Sequence, residues 1–165
     1  MKTKLFLLSL GTLSLVVSTV GCAGRKRNND EFDPNKTHIV VATLDKGIGT
    51  AWLTNAAKEF EELYKDATGF EDGKVGVEIA INGSTSYNGA YLENGVKNGA
   101  LNDDIYFTEG IAYRELSRYN KFLDLTETVN TALTDYGENK TIMSKIDSTL
   151  ADYLTVDGKV YGIPF

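Results

Sequence analysis

Apolar residues recur along this chain with two different periods, and each change of period marks an element. His38 to Leu44 (HIVVATL) is a short β-branched run suited to a buried strand. Beyond Gly47 and Gly49, apolar residues fall at Leu53, Ala56, Ala57, Phe60, Leu63 and Tyr64, with Lys58, Glu59, Glu61, Glu62 and Lys65 opposite them. That spacing predicts an amphipathic helix from about Thr50 to Thr68-Gly69. Strict alternation then places Val75, Val77, Ile79 and Ile81 on one face of a second strand, which Asn82-Gly83-Ser84 ends. Tyr87 to Val96 reads as a helix weakened by Gly89 and Gly95, with Ser84, Thr85 and Ser86 as candidate N-caps. A third strand, Ile105-Tyr106-Phe107, follows the acidic pair Asp103-Asp104 and leads to a helix around Ile111 to Tyr119.

The remainder is less regular. Lys121 to Thr126 (KFLDLT) reads as a buried turn, with Thr126 or Thr128 capping a further helical stretch. Ile142, Ile146, Leu150 and Leu154 share one face of a helix spanning Ile142 to Leu154. Asp157-Gly158 between β-forming residues is a strong hairpin signal. The order β-α-β-α-β-α, then helices and a hairpin, predicts an α/β fold: a mostly parallel sheet with helices on both faces. In such sheets ligands collect at the carboxyl ends of the strands.

The amino end follows a third pattern. Lys2 and Lys4 precede Leu5 to Val17 (LFLLSLGTLSLVV), an apolar run shorter than the roughly 20 residues a spanning helix needs. Small residues lead to Gly21-Cys22, and a cysteine at that point resembles a lipobox, although Thr19 stands where leucine is preferred. Residues 1–21 are therefore expected to be a secretion signal, and Cys22 a lipid-bearing first residue. Cys22 is the sole cysteine, so no intrachain disulfide can form, and a lone thiol in an oxidising compartment would be a liability. Two acyl chains on that cysteine would anchor a protein stably. Residues 22–36 (CAGRKRNNDEFDPNK) have little apolar content and read as a disordered linker, with the folded part expected over 37–165.

Charge narrows the partners. The chain carries a formal net charge of −6, and the predicted signal holds two of its lysines and no acid, so the mature part is more acidic still. Phosphate-backbone binding needs a surplus of Lys and Arg, which argues against nucleic acid.

Three loops leave the predicted carboxyl ends of the strands: Asp45 to Thr50, Asn82 to Ser86, and Thr108-Glu109-Gly110. They offer glycines for close approach, hydroxyl and amide groups, two carboxylates (Asp45 and Glu109) and one cation, Lys46. Trp52 sits just inside the first helix. An aromatic face beside hydrogen-bonding groups is what sugar rings require, since their C–H faces stack while their hydroxyls pair. Lys46, Gly49, Thr50, Trp52, Asn82, Ser84, Thr108 and Glu109 are accordingly the candidate ligand-binding residues. Each also has a plainer reading: the glycines form a turn, Ser84 caps a helix, Trp52 packs in the core, and Glu109 is a solvated loop residue. Catalytic chemistry finds little purchase. The one histidine, His38, lies in a strand; no metal-ligand spacing or phosphate loop occurs; no cofactor is implied. Asp103 and Asp104 are adjacent on a strand entrance, so they point apart and read as a solubility device at the strand edge.

Taken in order, Gly49 to Leu53 (GTAWL), Lys58 to Tyr64 (KEFEELY), Val75 to Ile79 (VGVEI), Asp104 to Phe107 (DIYF), Leu123 to Thr126 (LDLT) and Asp157 to Phe165 (DGKVYGIPF) resemble the sugar-type extracellular solute-binding proteins of bacterial ABC importers. The resemblance runs over 37–165 and implies a periplasmic-binding-protein-like first lobe. It implies two lobes that close over a solute, docking on membrane permease subunits, and no enzymatic activity. Loops after the first three strands would line the first-lobe side of the cleft, and Gly162, Pro164 and Phe165 would approach the interlobe hinge. Family members are much longer, so the 165 residues are expected to be an incomplete, N-terminal piece that binds solute weakly by itself. The implied location is the outer face of the cell membrane, lipid-anchored, in a Gram-positive bacterium. Two other classes stay open: a secreted lipoprotein enzyme acting on cell-wall glycan, and an adhesive lipoprotein.

Overall fold

The computed structural model describes residues 32–47 and 49–165. The predicted signal, Cys22, most of the linker and Ile48 lie outside the described residues. Strands β1 (Thr37–Leu44), β2 (Val77–Ser84) and β3 (Ile105–Phe107) form a three-stranded parallel sheet in the order β2-β1-β3. β1 is central, as its β-branched run requires, and Val41, Ala42 and Thr43 are buried. It pairs with β2 from Thr37↔Val77 to Leu44↔Ser84, and with β3 over Val41↔Ile105 to Thr43↔Phe107.

Helices α1 (Ala51–Leu63) and α2 (Gly89–Asn98) flank the sheet. Trp52 of α1 meets Phe107 edge-on with ring centroids 5.5 Å apart. Leu92 and Val96 of α2 instead pack with Leu116 and the half-buried Tyr106. Successive strand residues point to opposite faces, so α1 and α2 cover opposite sides. This agrees with right-handed crossovers running in opposite directions from a central strand.

Several boundaries move from their predicted places. α1 ends at Leu63 rather than near Thr68-Gly69, and Leu63 is 66% exposed instead of sealing the apolar face. β2 begins at Val77 rather than Val75 because Gly76 takes φ +78°, and a Cβ there would lie 2.6 Å from the Lys65 carbonyl oxygen. The N–H of Val75 therefore leaves the ladder and donates to Asn35 O at 2.9 Å. Asn88 caps α2, accepting from the Tyr91 N–H at 3.2 Å, while the predicted caps Ser84 and Ser86 bond one another. Contacts also start before Thr37. Phe32 stacks on His38 at 4.3 Å, and the Asp33 N–H donates to Glu78 Oε2 at 2.8 Å.

Asp103 and Asp104 stand at the entrance of the edge strand β3, as expected, but both make structural hydrogen bonds there, and Asp103 is buried rather than a surface charge. Asp103 is buried and accepts hydrogen bonds from Asn82 Nδ2 (3.4 Å) and the Tyr91 hydroxyl (3.3 Å). Asp104 Oδ2 accepts from the Val40 N–H at 2.8 Å, extending the β1–β3 pairing. The Tyr106 hydroxyl accepts from the N–H groups of Asn102 and Asp103, and burial above all pushes its pKa up to about 12.

The C-terminal third continues through α3 (Tyr113–Leu116), α4 (Thr126–Asn130), α5 (Ser148–Leu154) and the hairpin β4 (Thr155–Val156) and β5 (Lys159–Val160). Asp157 (φ 53°) and Gly158 (φ 80°) make the turn that the Asp-Gly pair predicts. The long helix predicted over Ile142 to Leu154 is split, because Asp147 caps α5 by accepting from the Thr149 N–H at 2.9 Å. Nor is the turn before α4 buried as expected, since Leu123 is 65% exposed. Thr126 does not cap α4. Its hydroxyl and N–H donate to Asp124 Oδ1, and these bonds, with Lys159 adding less, hold the Asp124 carboxyl below its ordinary pKa. Two residues of α3 hold this layer in place. The Tyr113 hydroxyl donates to Leu154 O at 2.8 Å and accepts from the Tyr161 N–H at 2.9 Å. Arg114 Nη1 donates to the carbonyls of Asp152, Tyr153 and Thr155, satisfying the end of α5.

Candidate functional site

The first crossover leaves β1 toward β2, and the second returns past β1 to β3. The two connections thus diverge between the carboxyl ends of β1 and β3, leaving a crevice that no crossover fills. A cleft of about 330 Å³ lies at this point. Thr43 and Leu44 reach it from the end of β1, and Lys46, Gly47 and Gly49 from the loop that follows. Phe107, Thr108 and Glu109 reach it from the end of β3, Trp52 from the start of α1, and Phe165 from the far end of the described chain.

One wall is aromatic. Trp52 and Phe165 are stacked with centroids 6.4 Å apart, and Phe107 meets both edge-on at 5.5 and 5.3 Å. Trp52 remains 39% exposed and Phe165 78% exposed, so ring surface is open to a ligand. Trp52 therefore takes part in both packing and the cleft surface, the two readings that the sequence leaves open. The other side is polar. Lys46 Nζ donates to Glu109 Oε1 at 3.2 Å, joining the loop after β1 to the loop after β3. The Thr108 hydroxyl is buried and has no hydrogen-bond partner among the described residues.

Of the candidate ligand-binding residues, Lys46, Gly49, Trp52, Thr108 and Glu109 come together in this cleft. Thr50, Asn82 and Ser84 are not among its lining residues. Thr50 precedes α1, where its carbonyl accepts from the N–H and hydroxyl of Thr54. Asn82 shares a register position with Ala42 and Tyr106 on the α2 side and bonds Asp103. Ser84 closes a tight turn with Ser86. Gly162 lies beside the Tyr113 ring, Pro164 is exposed, and Phe165 stands in the cleft itself. Thr43, Leu44, Gly47 and Phe107 are lining residues outside the candidate set. Phe107 was findable, because it is the last residue of a strand whose carboxyl end was expected to face ligand. Nothing local in the sequence signals that Phe165 returns to Trp52.

Chemically, the cleft can stack an apolar ring face on its aromatic wall while the exposed Lys46 and Glu109 exchange hydrogen bonds with substituents. Among the described residues no group of three His, Cys, Asp or Glu could hold a metal ion, and no helix is long and apolar enough to cross a membrane. Thr108→Val removes a hydroxyl that is already unpaired while keeping its shape. It should leave stability unchanged or raise it by up to about 1 kcal/mol in urea denaturation. A loss larger than that would show that the hydroxyl has a partner after all. Comparison with protein-family models, with curated proteins and with solved structures found no match.

Proposed function

We propose that this chain is the substrate-capture part of a bacterial ABC importer for a carbohydrate, tethered outside the cell by lipid on Cys22. The observation that carries this reading is the aromatic-walled cleft at the divergence of β1 and β3. Trp52, Phe107 and Phe165 supply apolar faces there, and hydroxyls and one ion pair stand beside them. The chain acts by binding and release: it holds a polar solute, hands it to membrane permease subunits, and leaves it chemically unchanged. As in the resemblance noted above, Gly162, Pro164 and Phe165 lead toward a hinge with a second lobe.

An open, one-sided cleft gives low affinity, so the chain should bind uncharged saccharides with Kd in the roughly millimolar range. At ten times Kd, ligand linkage adds about 1.4 kcal/mol to stability. A panel of saccharides screened by thermal unfolding, followed by isothermal titration and chromatography of the sugar, tests this. The expected result is a concentration-dependent rise in Tm with the saccharide recovered intact. A cleaved saccharide would overturn the transport reading in favour of an enzyme. For the anchor, mass spectrometry of protein expressed in a Gram-positive host should show an amino terminus at Cys22 carrying diacylglycerol, absent in Cys22→Ala. An unmodified Cys22 would contradict the tether.

A further inference from the structure

Among the described residues that line the cleft, the ionisable side chains are Lys46 and Glu109, and they are paired with each other at 3.2 Å. Both are exposed, so the pair contributes little to stability by itself. Its position is more telling. It bridges the loops that follow β1 and β3 and lines the same cleft as the aromatic wall that Trp52 helps to form.

We propose that Glu109 sets the charge selectivity of the cleft: it cancels the Lys46 ammonium and turns away anionic solutes, so that uncharged polyols are the ligand class. This rests on the carbohydrate-capture reading above. An uncharged sugar hydroxyl can donate to the Glu109 carboxylate and accept from the Lys46 ammonium without disturbing their charge balance. A phosphate, sulfate or carboxylate group seated at Lys46 would instead face a like charge at close range. Coulomb's law puts that penalty at about tenfold in affinity for a separation of ~6 Å and an effective dielectric constant of about 40. The formal net charge of −6 on the whole chain acts in the same direction. Without Glu109, Lys46 would be an uncompensated cation in the lining and would recruit such groups.

Trp52 is the only tryptophan, so its emission reports on the cleft directly. Emission is to be titrated with a neutral hexose and with the same hexose as its 6-phosphate, at low and high salt. The proteins compared are the unaltered chain, Glu109→Gln, Lys46→Gln and the double variant. Loss of an exposed ion pair leaves all four folded. Glu109→Gln should bind the hexose phosphate about tenfold more tightly than the unaltered chain. The gain should shrink at high salt and vanish in the double variant. No gain in Glu109→Gln, or an equal gain in the double variant, would overturn the selectivity role, whatever the neutral sugar does. If Glu109→Gln gains the phosphate while no neutral saccharide binds any protein, the charge role stands and the carbohydrate reading fails.

Discussion

Gly89→Ala should destabilise the protein by about 2–3 kcal/mol and disorganise the cleft, although Gly89 does not itself line it. Helix propensity alone argues the opposite. Gly89 opens α2, and alanine in place of helical glycine ordinarily stabilises by roughly 0.5–1 kcal/mol. The close approach decides the sign. A Cβ at position 89 would stand 2.6 Å from the Gly110 carbonyl oxygen and 2.8 Å from that of Glu109. Both are backbone atoms, with no flexible end to swing aside. Either α2 must back away from its packing on Tyr106 and Leu116, or the Thr108-Glu109-Gly110 loop must move. The second course separates Glu109 from Lys46 and reshapes the cleft. The urea midpoint and the saccharide affinity of the variant should therefore fall together. A variant as stable as the unaltered protein, binding normally, would show that the helix and loop are not locked in this way.

Leu116→Ala should cost about 3 kcal/mol, a large share of the roughly 5–15 kcal/mol that holds an ordinary domain folded. Leu116 is 1% exposed and packs against Leu92 and Val96 of α2, with Leu101, Tyr106, Ile111 and Phe122 around it. It is the place where the C-terminal third seals onto the helix that covers one face of the sheet. Truncation there leaves a cavity lined from both sides, and neither backbone can collapse freely into it. Leu123 makes the control, because it is the same residue type at 65% exposure, and Leu123→Ala should change stability by less than about 0.5 kcal/mol. Equal effects at the two positions, measured from urea midpoints at constant slope, would contradict the burial that separates them.

The two leucines also show where the sequence was readable. Periodicity found the three strands, the two flanking helices and the hairpin, because one-sided burial leaves a pattern within a single element. It did not separate Leu116 from Leu123, since that difference arises between elements distant in sequence. Boundaries moved where a backbone requirement outweighed an apolar pattern. Gly76 delays β2, and Asp147 cuts one predicted helix into a turn and a shorter helix. The site divides along the same line. Lys46, Gly49, Trp52, Thr108 and Glu109 were reachable because an alternating β-α order already places the loops at the carboxyl ends of β1 and β3 together. Asn82 and Ser84 leave the candidate set because β2 lies beyond β1, on the side away from β3. No local pattern states strand order, so the crevice between β1 and β3 could not be told apart from its neighbour between β1 and β2. The Arg114 and Tyr113 contacts were illegible for a related reason, as both reach backbone atoms far along the chain.

On the proposed reading, the crevice between the ends of β1 and β3 is where this protein holds an uncharged saccharide. Amide-resolved NMR during a saccharide titration tests it most directly, because it reports every position at once. Shifts should concentrate at Lys46, Gly49, Thr108, Glu109 and the Trp52 indole, with Asn82 and Ser84 little changed. Saturable shifts centred instead on β2 and the Ser84-Ser86 turn, or none at any saccharide concentration, would show that this crevice is not a saccharide site.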